Sequence, residues 1–108
     1  MHMQNITAQQ LKVRLEQDDS SPILLDVRET VEHQICHIEG SLLMPMQLIP
    51  DALDNLDPEQ EIVVICHHGM RSLQVAEYLQ NNGFSKVMNL SGGIEQWILT
   101  VDLSLTAY

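Results

Sequence analysis

The residues best suited to chemistry lie in one short segment, between Ile62 and Ser72. Cys66 follows an apolar run there, and a helix-like segment begins a few residues later, near Arg71. At such a junction, converging backbone N–H groups and the positive end of the helix favour an anion. The same field favours thiolate over thiol, so Cys66 is predicted to be a nucleophile. Arg71 adds a fixed cation at the far end of the loop.

The loop that joins Cys66 to Arg71 is short, at six residues counting both ends, and it contains Gly69. A short loop that curls around a sulfur atom can point several backbone N–H groups inward and form an anion-binding nest. Gly69 helps because such curling often requires a positive φ. A pocket of this kind suits a thiolate, or a sulfur atom carried on one.

Two histidines, His67 and His68, follow the cysteine directly. They are predicted either to rim the pocket, where a protonated imidazole would attract an anion, or simply to face solvent. Because the side chains of adjacent residues should diverge and no fourth ligand is evident, no metal site is predicted. Ser72 either caps the helix that follows or donates a hydrogen bond to the sulfur.

Composition limits the classes of function that are expected for this chain. The chain of 108 residues fits one domain over 1–108, and its 44% hydrophobic content is enough for a core. Its formal charge of −10, from 15 acidic and 5 basic residues, argues against nucleic-acid or membrane partners. Two cysteines, Cys36 and Cys66, are too few for a disulfide scaffold, and no signal-peptide pattern is visible. A reducing, cytoplasmic setting is therefore expected.

Short helices and strands in alternation are predicted to position the cysteine loop. Apolar runs bounded by turn residues indicate strands at 23–25, 41–44, 62–65 and 87–90. Apolar periodicity and capping signals indicate helices at 8–17, 29–35, 46–56, 71–82 and 94–99. This order predicts an α/β domain with a mainly parallel sheet, in which ligands bind at the carboxyl ends of strands. Cys66 lies at such an end.

Several separated motifs, in this order, resemble the rhodanese domain in its single-domain form. They are Leu-Leu-Asp-Val-Arg at 24–28 with Glu32, His-Ile-Glu-Gly-Ser at 37–41 with Pro45, Cys-His-His-Gly-Met-Arg-Ser at 66–72, and Gly-Gly-Ile-Glu-Gln-Trp at 92–97. The resemblance covers nearly the whole chain. It implies a rhodanese-like α/β fold with a central five-stranded, mainly parallel sheet flanked by helices on both faces.

The resemblance also implies a sulfurtransferase that needs no cofactor. The Cys66 thiolate would attack the outer sulfur of a donor such as thiosulfate and release sulfite. Cyanide or a thiol would then take the sulfur from the Cys66 persulfide. Arg71 would shape the loop and attract the anionic donor. The terminal sulfur would be held by the backbone N–H groups of five loop residues, His67, His68, Gly69, Met70 and Arg71.

Two other functions stay open. The first is a sulfur-carrier or regulatory module that a partner protein, such as a cysteine desulfurase, loads with sulfur. The second is a phosphatase or arsenate reductase on the same fold. The second is less favoured, because the cysteine loops of such phosphatases usually hold one more residue, which makes room for phosphate.

Residues outside the cysteine loop are expected to have structural roles. Cys36 stands where the family usually has glycine and is interpreted as a small apolar filler rather than a redox partner of Cys66. Asp26, Arg28 and Glu32 are interpreted as an ion-pair network rather than as charges that face the substrate. Trp97 with Ile94 is predicted to pack in the core, and the pair at 92–93 is interpreted as turn glycines alone.

Overall fold

The computed structural model, which describes residues 3–17 and 22–105, contains a parallel five-stranded sheet in the order β1-β5-β4-β2-β3. The strands are β1 (Gln4–Ile6), β2 (Ile23–Asp26), β3 (Leu42–Leu43), β4 (Ile62–Ile65) and β5 (Val87–Leu90). The α-helices are α1 (Ala8–Leu15), α2 (Thr30–Ile35), α3 (Ile49–Ala52), α4 (Met70–Asn81) and α5 (Gly93–Thr100). The α/β class and the five parallel strands confirm the prediction.

The sheet is covered on both faces, and β4 lies at its centre. Successive side chains of a strand point to opposite faces, so β4 feeds two separate apolar clusters. Val63 and Ile65 enter the first cluster, which packs against α1 and α5. Ile62, Val64 and then Cys66 enter the second cluster, which packs against α3 and α4. The uninterrupted apolar run that predicted β4 reflects this two-sided burial.

Local sequence signals explain where several elements begin. Thr7 caps α1 as predicted: its Oγ1 accepts from the Gln10 N–H at 3.1 Å, while Gln10 Oε1 accepts from the Thr7 N–H at 2.9 Å. Trp97 and Ile94 are buried in the first cluster, which confirms their predicted role in packing. Among the described helices, none is both long and apolar enough to cross a membrane.

Two elements differ from the sequence-based prediction. Strand β1 was not identified from the residue pattern, because it has only three residues and Ile6 alone is buried. It is held at the sheet edge by pairing with β5, with Ile6 opposite Leu90. The single helix predicted over 46–56 is instead a short α3 between 3₁₀ turns at 46–48 and 53–55. Pro50 lacks an N–H group, so it is accommodated in the first turn of α3 and not inside a longer helix.

Candidate active site

Cys66 directly follows β4, at the carboxyl edge of the sheet, and its side chain is nearly enclosed, with 1% of its surface exposed. The Gly69 N–H donates a hydrogen bond to Cys66 Sγ at 3.0 Å, and Ser72 Oγ lies 3.2 Å from the same sulfur. The loop therefore curls around the sulfur as its length predicted. Since α4 begins at Met70, the sulfur also lies at the positive end of a helix of 12 residues.

Gly69 is the residue that lets the loop close so tightly. It caps α4 with φ +104°, in the left-handed region that glycine adopts without strain. A Cβ atom at this position would lie 3.3 Å from the Gly92 nitrogen and 3.4 Å from the Leu90 carbonyl oxygen. The absence of a side chain thus allows both the left-handed backbone conformation and the close approach of the loop to the segment after β5.

The start of α5 holds the cysteine loop from the other side. The Ile94 N–H donates to the Cys66 carbonyl at 2.8 Å, and the Glu95 N–H donates to the His67 carbonyl at 3.1 Å. A Cβ on Gly93, which has φ +60°, would lie only 2.4 Å from the His67 carbonyl oxygen and 2.5 Å from that of Cys66. The interpretation of 92–93 as turn glycines alone was therefore wrong, since Gly93 leaves room for the loop to reach the first turn of α5.

Arg71 is oriented by a carboxylate on a neighbouring helix. Its Nη1 and Nη2 donate to Glu32 Oε1 and Oε2 at 2.7 and 2.9 Å, a bidentate pair that links α4 to α2. Glu32 Oε1 also accepts from the Glu29 N–H at 2.9 Å, so the carboxylate is itself held in place. The positive charge of Arg71 is thus fixed close to the cysteine loop by a planar, two-point contact.

A second ion pair lies entirely inside the protein. Arg28 donates from Nε and Nη2 to the Asp26 carboxylate at 2.9 and 2.7 Å, and both side chains are buried. Its guanidinium also donates to the Cys36 carbonyl at 2.7 Å and to the Glu32 carbonyl at 3.4 Å. These contacts tie β2 to the segment that carries Glu32. They confirm the predicted ion pair of Asp26 with Arg28, while the Glu32 carboxylate, predicted in the same network, pairs with Arg71.

The two cysteines belong to different parts of the core. Cys36 lies in the first cluster and Cys66 in the second, so the sheet separates them, and both thiols are free. This placement fits the interpretation of Cys36 as an apolar filler.

His67 and His68 do not diverge as the sequence analysis assumed. Their rings stack with centroids 3.9 Å apart, and His68 Nε2 lies 3.5 Å from Glu95 Oε2. Partial burial lowers the pKa of His67, with a further decrease from His68 and opposing effects from Glu95 and Glu32. His67, His68 and Glu95 place one ligand-type atom each within 4.8 Å of one another. Stacked rings direct their nitrogen lone pairs along nearly parallel planes and not towards one ion, so we assign no metal.

The remaining loop residue, Met70, lies at the surface. It is the first residue of α4, and 70% of it is exposed. Its backbone directly follows the Gly69 N–H donor, while its side chain adds an apolar group to the surface beside the loop.

Asn89 is a component of the site that the sequence analysis missed. It lies in β5, is buried, and accepts a hydrogen bond from Ser72 Oγ to its Oδ1 at 2.5 Å. Its Nδ2 donates to the Gly69 carbonyl at 3.3 Å and to Asn5 Oδ1 at 3.2 Å. A polar residue within the apolar strand Val-Met-Asn-Leu was the signal that could have revealed it.

Comparison with known proteins agrees with this geometry. The model of the rhodanese-like domain family matches residues 7–100. The chain belongs to the rhodanese-like domain family. A Bacillus subtilis protein named putative sulfurtransferase YtwF is 37% identical over 97 residues, which cover 90% of this chain and 92% of that protein. The crystal structure of a rhodanese-like domain protein from Staphylococcus aureus superposes with a TM-score of 0.85 at 32% identity, covering 98% of this chain and 99% of the other.

Other relatives are much longer than the present chain. The Arabidopsis thaliana rhodanese-like/PpiC domain-containing protein 12, chloroplastic, is 40% identical over 89 residues, which cover 79% of this chain but only 30% of that protein. A further curated relative is matched over 49% of its length. The family is thus established for the matched domain.

Proposed function

We propose that this protein is a sulfurtransferase that moves sulfane sulfur from a donor such as thiosulfate to cyanide or a thiol through a persulfide on Cys66. The observation that carries the proposal is the hydrogen bond of 3.0 Å from the Gly69 N–H to Cys66 Sγ. This bond is made inside a loop of six residues, Cys66 to Arg71, at the start of a helix. Such a nest suits a sulfur anion.

The reaction has two displacement steps at sulfur. In the first, the Cys66 thiolate attacks the outer sulfur of thiosulfate, the sulfur–sulfur bond of thiosulfate breaks, and sulfite leaves with the electron pair. In the second, cyanide attacks the outer sulfur of the persulfide, thiocyanate leaves, and the thiolate returns. Sulfur bound to the enzyme between the two steps predicts ping-pong kinetics. No cofactor is needed to balance either step.

The loop residues have separate roles in this proposal. The backbone N–H groups of residues 67–71, including the observed donor on Gly69, stabilise the terminal sulfur of the persulfide. Arg71, fixed by Glu32, supplies the positive charge that attracts the anionic donor. His67, whose pKa is lowered mainly by burial, stays neutral near pH 7 and adds no charge. We also propose that the protein acts in the cytoplasm and that its sulfur donors and acceptors are small molecules.

Thiocyanate formation from thiosulfate and cyanide tests the proposal. Double-reciprocal plots at several cyanide concentrations should give parallel lines, and Cys66→Ser should abolish the rate. Cys36→Ser is the matched control, because Cys36 lies in the other core cluster, and it should keep the activity. Full activity of Cys66→Ser would overturn the assignment of the nucleophile.

The same preparations should be tested with an aryl phosphate. The six-residue loop is one residue shorter than is usual for the cysteine loops of phosphatases on this fold, so no Cys66-dependent hydrolysis is expected. Hydrolysis that requires Cys66, without thiocyanate formation, would replace sulfur transfer with phosphoryl transfer as the function.

A further inference from the structure

The side-chain amide of Asn89 can adopt only one orientation. Its Nδ2 lies 3.3 Å from the Gly69 carbonyl oxygen and 3.2 Å from Asn5 Oδ1, and both of these atoms are acceptors. Exchanging the oxygen and nitrogen of Asn89 would place its oxygen against the Gly69 carbonyl and lose both hydrogen bonds. Asn89 Oδ1 therefore faces Ser72, and it can only accept.

This orientation decides the direction of the hydrogen bond between Ser72 and Cys66. A serine hydroxyl has one proton, and that of Ser72 is donated to Asn89 Oδ1 at 2.5 Å. Ser72 Oγ therefore presents lone pairs to Cys66 Sγ, which lies 3.2 Å away. Lone pairs on Ser72 favour a sulfur that carries a proton, so this contact stabilises the thiol, whereas the Gly69 N–H stabilises the thiolate.

We propose that Asn89 is a positioning residue that acts through Ser72 and sets the pH at which Cys66 becomes nucleophilic. This rests on the proposed function, in which the thiolate of Cys66 is the attacking group. When the thiol proton passes to hydroxide or a buffer base, the Ser72 hydroxyl turns from Asn89 Oδ1 to the sulfur. Two hydrogen bonds are then broken, from the thiol to Ser72 Oγ and from Ser72 to Asn89 Oδ1, and one is formed, from Ser72 to the thiolate; no electron is transferred.

The hydrogen bonds that link Asn89, Ser72 and Cys66 favour the protonated form of the resting sulfur. While Ser72 donates to Asn89, the thiolate can receive a hydrogen bond from Ser72 only if the bond between Ser72 and Asn89 is broken. Asn89 Nδ2 also donates to the Gly69 carbonyl, which belongs to the peptide after Gly69, whereas the N–H that reaches the sulfur belongs to the peptide before it. Ser72 Oγ is therefore the direct link between Asn89 and the sulfur. Removing the Asn89 oxygen should release Ser72 to donate to the thiolate.

Other charged groups surround the loop and also influence thiolate formation. They are Asp26 and Arg28 at the end of β2, Glu32 on α2, His67 and His68 in the loop, Arg71 on α4 and Glu95 on α5. Asn89→Leu replaces none of these residues and changes no charge. Comparison of Asn89→Leu with the parent protein therefore isolates the contribution of the amide.

The experiment measures the rate of iodoacetamide alkylation of Cys66 between pH 5 and 10, in the Cys36→Ser background and with the product located by mass spectrometry. Asn89→Leu should move the midpoint of the pH–rate curve down by about 0.5–1 pH unit, the equivalent of one net hydrogen bond. Asn89→Ala removes the same oxygen without adding a branched side chain and should shift the midpoint in the same direction.

The decisive control is the same pair of proteins in a Ser72→Ala background. There Asn89→Leu should leave the midpoint unchanged, since no hydroxyl remains to transmit the effect. An unshifted midpoint in both Asn89 variants would overturn the proposal, as would a shift that persists without the Ser72 hydroxyl. Alkylation requires no sulfur donor, so absence of thiocyanate formation would contradict the proposed function and leave this test intact.

Discussion

At the scale of single residues, the candidate site depends on a few directed polar contacts. One backbone N–H reaches the sulfur, one carboxylate fixes Arg71, and one buried amide orients Ser72. The carboxylate and the amide belong to different elements, so a substitution at each can test its contact separately.

Arg71 should be required for capture of an anionic donor. Arg71→Ala removes the cation and leaves the Glu32 carboxylate without its bidentate partner, so kcat/KM for thiosulfate should fall about tenfold to a hundredfold. Arg71→Lys should recover only part of the loss, because lysine keeps the charge but not the two-point contact. Steady-state thiocyanate formation provides the measurement.

Arg14 offers the matched control for this prediction. It also pairs with a glutamate, Glu61, but on α1 and not at the cysteine loop. Arg14→Ala should leave kcat/KM within about twofold of the parent value, as expected for loss of a partly exposed ion pair. An equal loss of activity in the Arg14 and Arg71 variants would contradict a local role for Arg71.

The shape of the cysteine loop could be predicted from the sequence because it depends on residues that are close together in the chain. Cys66, Gly69 and Arg71 lie within six residues, and strand, glycine and helix start are all visible in that segment. Asn89 was missed because its partners, Gly69 and Ser72, are distant in sequence and meet it only after β4 and β5 pair. Stacking of His67 on His68 depends on side-chain rotamers, which the sequence pattern does not encode.

At the scale of elements, the first turn of α5 and the cysteine loop form one unit. The helix donates two N–H groups to the carbonyls of Cys66 and His67, and Gly93 provides the space for this approach. The geometry of the loop is therefore set by a helix that starts 27 positions after Cys66, at Gly93.

Gly93→Ala should disrupt this unit. The added methyl group would overlap two backbone carbonyl oxygens, at 2.4 and 2.5 Å, and the residue would keep φ +60°. Strain and overpacking together should lower the free energy of unfolding by about 2–5 kcal/mol. The rate of sulfur transfer, measured below the unfolding transition, should fall as well.

Gly83→Ala separates backbone strain from the overlap. Gly83 also has a positive φ, +94°, but a Cβ there would meet nothing within 4 Å. It should cost only about 1–2 kcal/mol in urea unfolding and leave sulfur transfer unchanged. If the two variants proved equally stable and equally active, the proposed contact between α5 and the loop would be wrong.

Elements that are long or fully buried were predicted from the sequence, whereas short elements with few buried residues were not. β4 was predicted because four consecutive buried residues leave an unmistakable apolar run, and α4 because twelve residues show helical periodicity. β1 gave no such signal with a single buried residue. The segment 46–56 carries apolar residues at helical spacing, yet Pro50 and the packing of short turns divide it into three pieces.

At the scale of the whole molecule, the sheet places Cys66 and Cys36 on opposite faces. Burial also affects two histidines on different elements, His33 on α2 and His67 in the cysteine loop. The pKa of each is lowered, in both cases mainly by burial and then by a neighbouring histidine.

These lowered pKa values predict a dependence of stability on pH. In the unfolded chain both histidines bind protons near pH 6.5, whereas in the folded protein they do so only at lower pH. Well above pH 6.5 both are almost entirely neutral in either state, so the stability does not depend on them. As the pH falls below 6.5, the unfolded chain binds more protons, so the free energy of unfolding should decrease.

Urea unfolding at pH 7.5 and pH 5.5 measures this effect. The double variant His33→Gln and His67→Gln removes both groups while keeping polar side chains, and it should lose less stability between the two pH values than the parent. Carboxylates are common to both proteins, so their titration cancels in the comparison. An unchanged or steeper loss in the double variant would contradict the assigned shifts.

The central claim is that Cys66 carries transferable sulfur, and the intact mass of the protein tests it most directly. The reduced protein, with Cys66→Ser and Cys36→Ser alongside, is incubated with thiosulfate and weighed by mass spectrometry. The account predicts that the parent and Cys36→Ser gain one sulfur atom, which cyanide removes, and that Cys66→Ser gains none. No adduct on folded, reduced parent protein, or an equal adduct on Cys66→Ser, would contradict it.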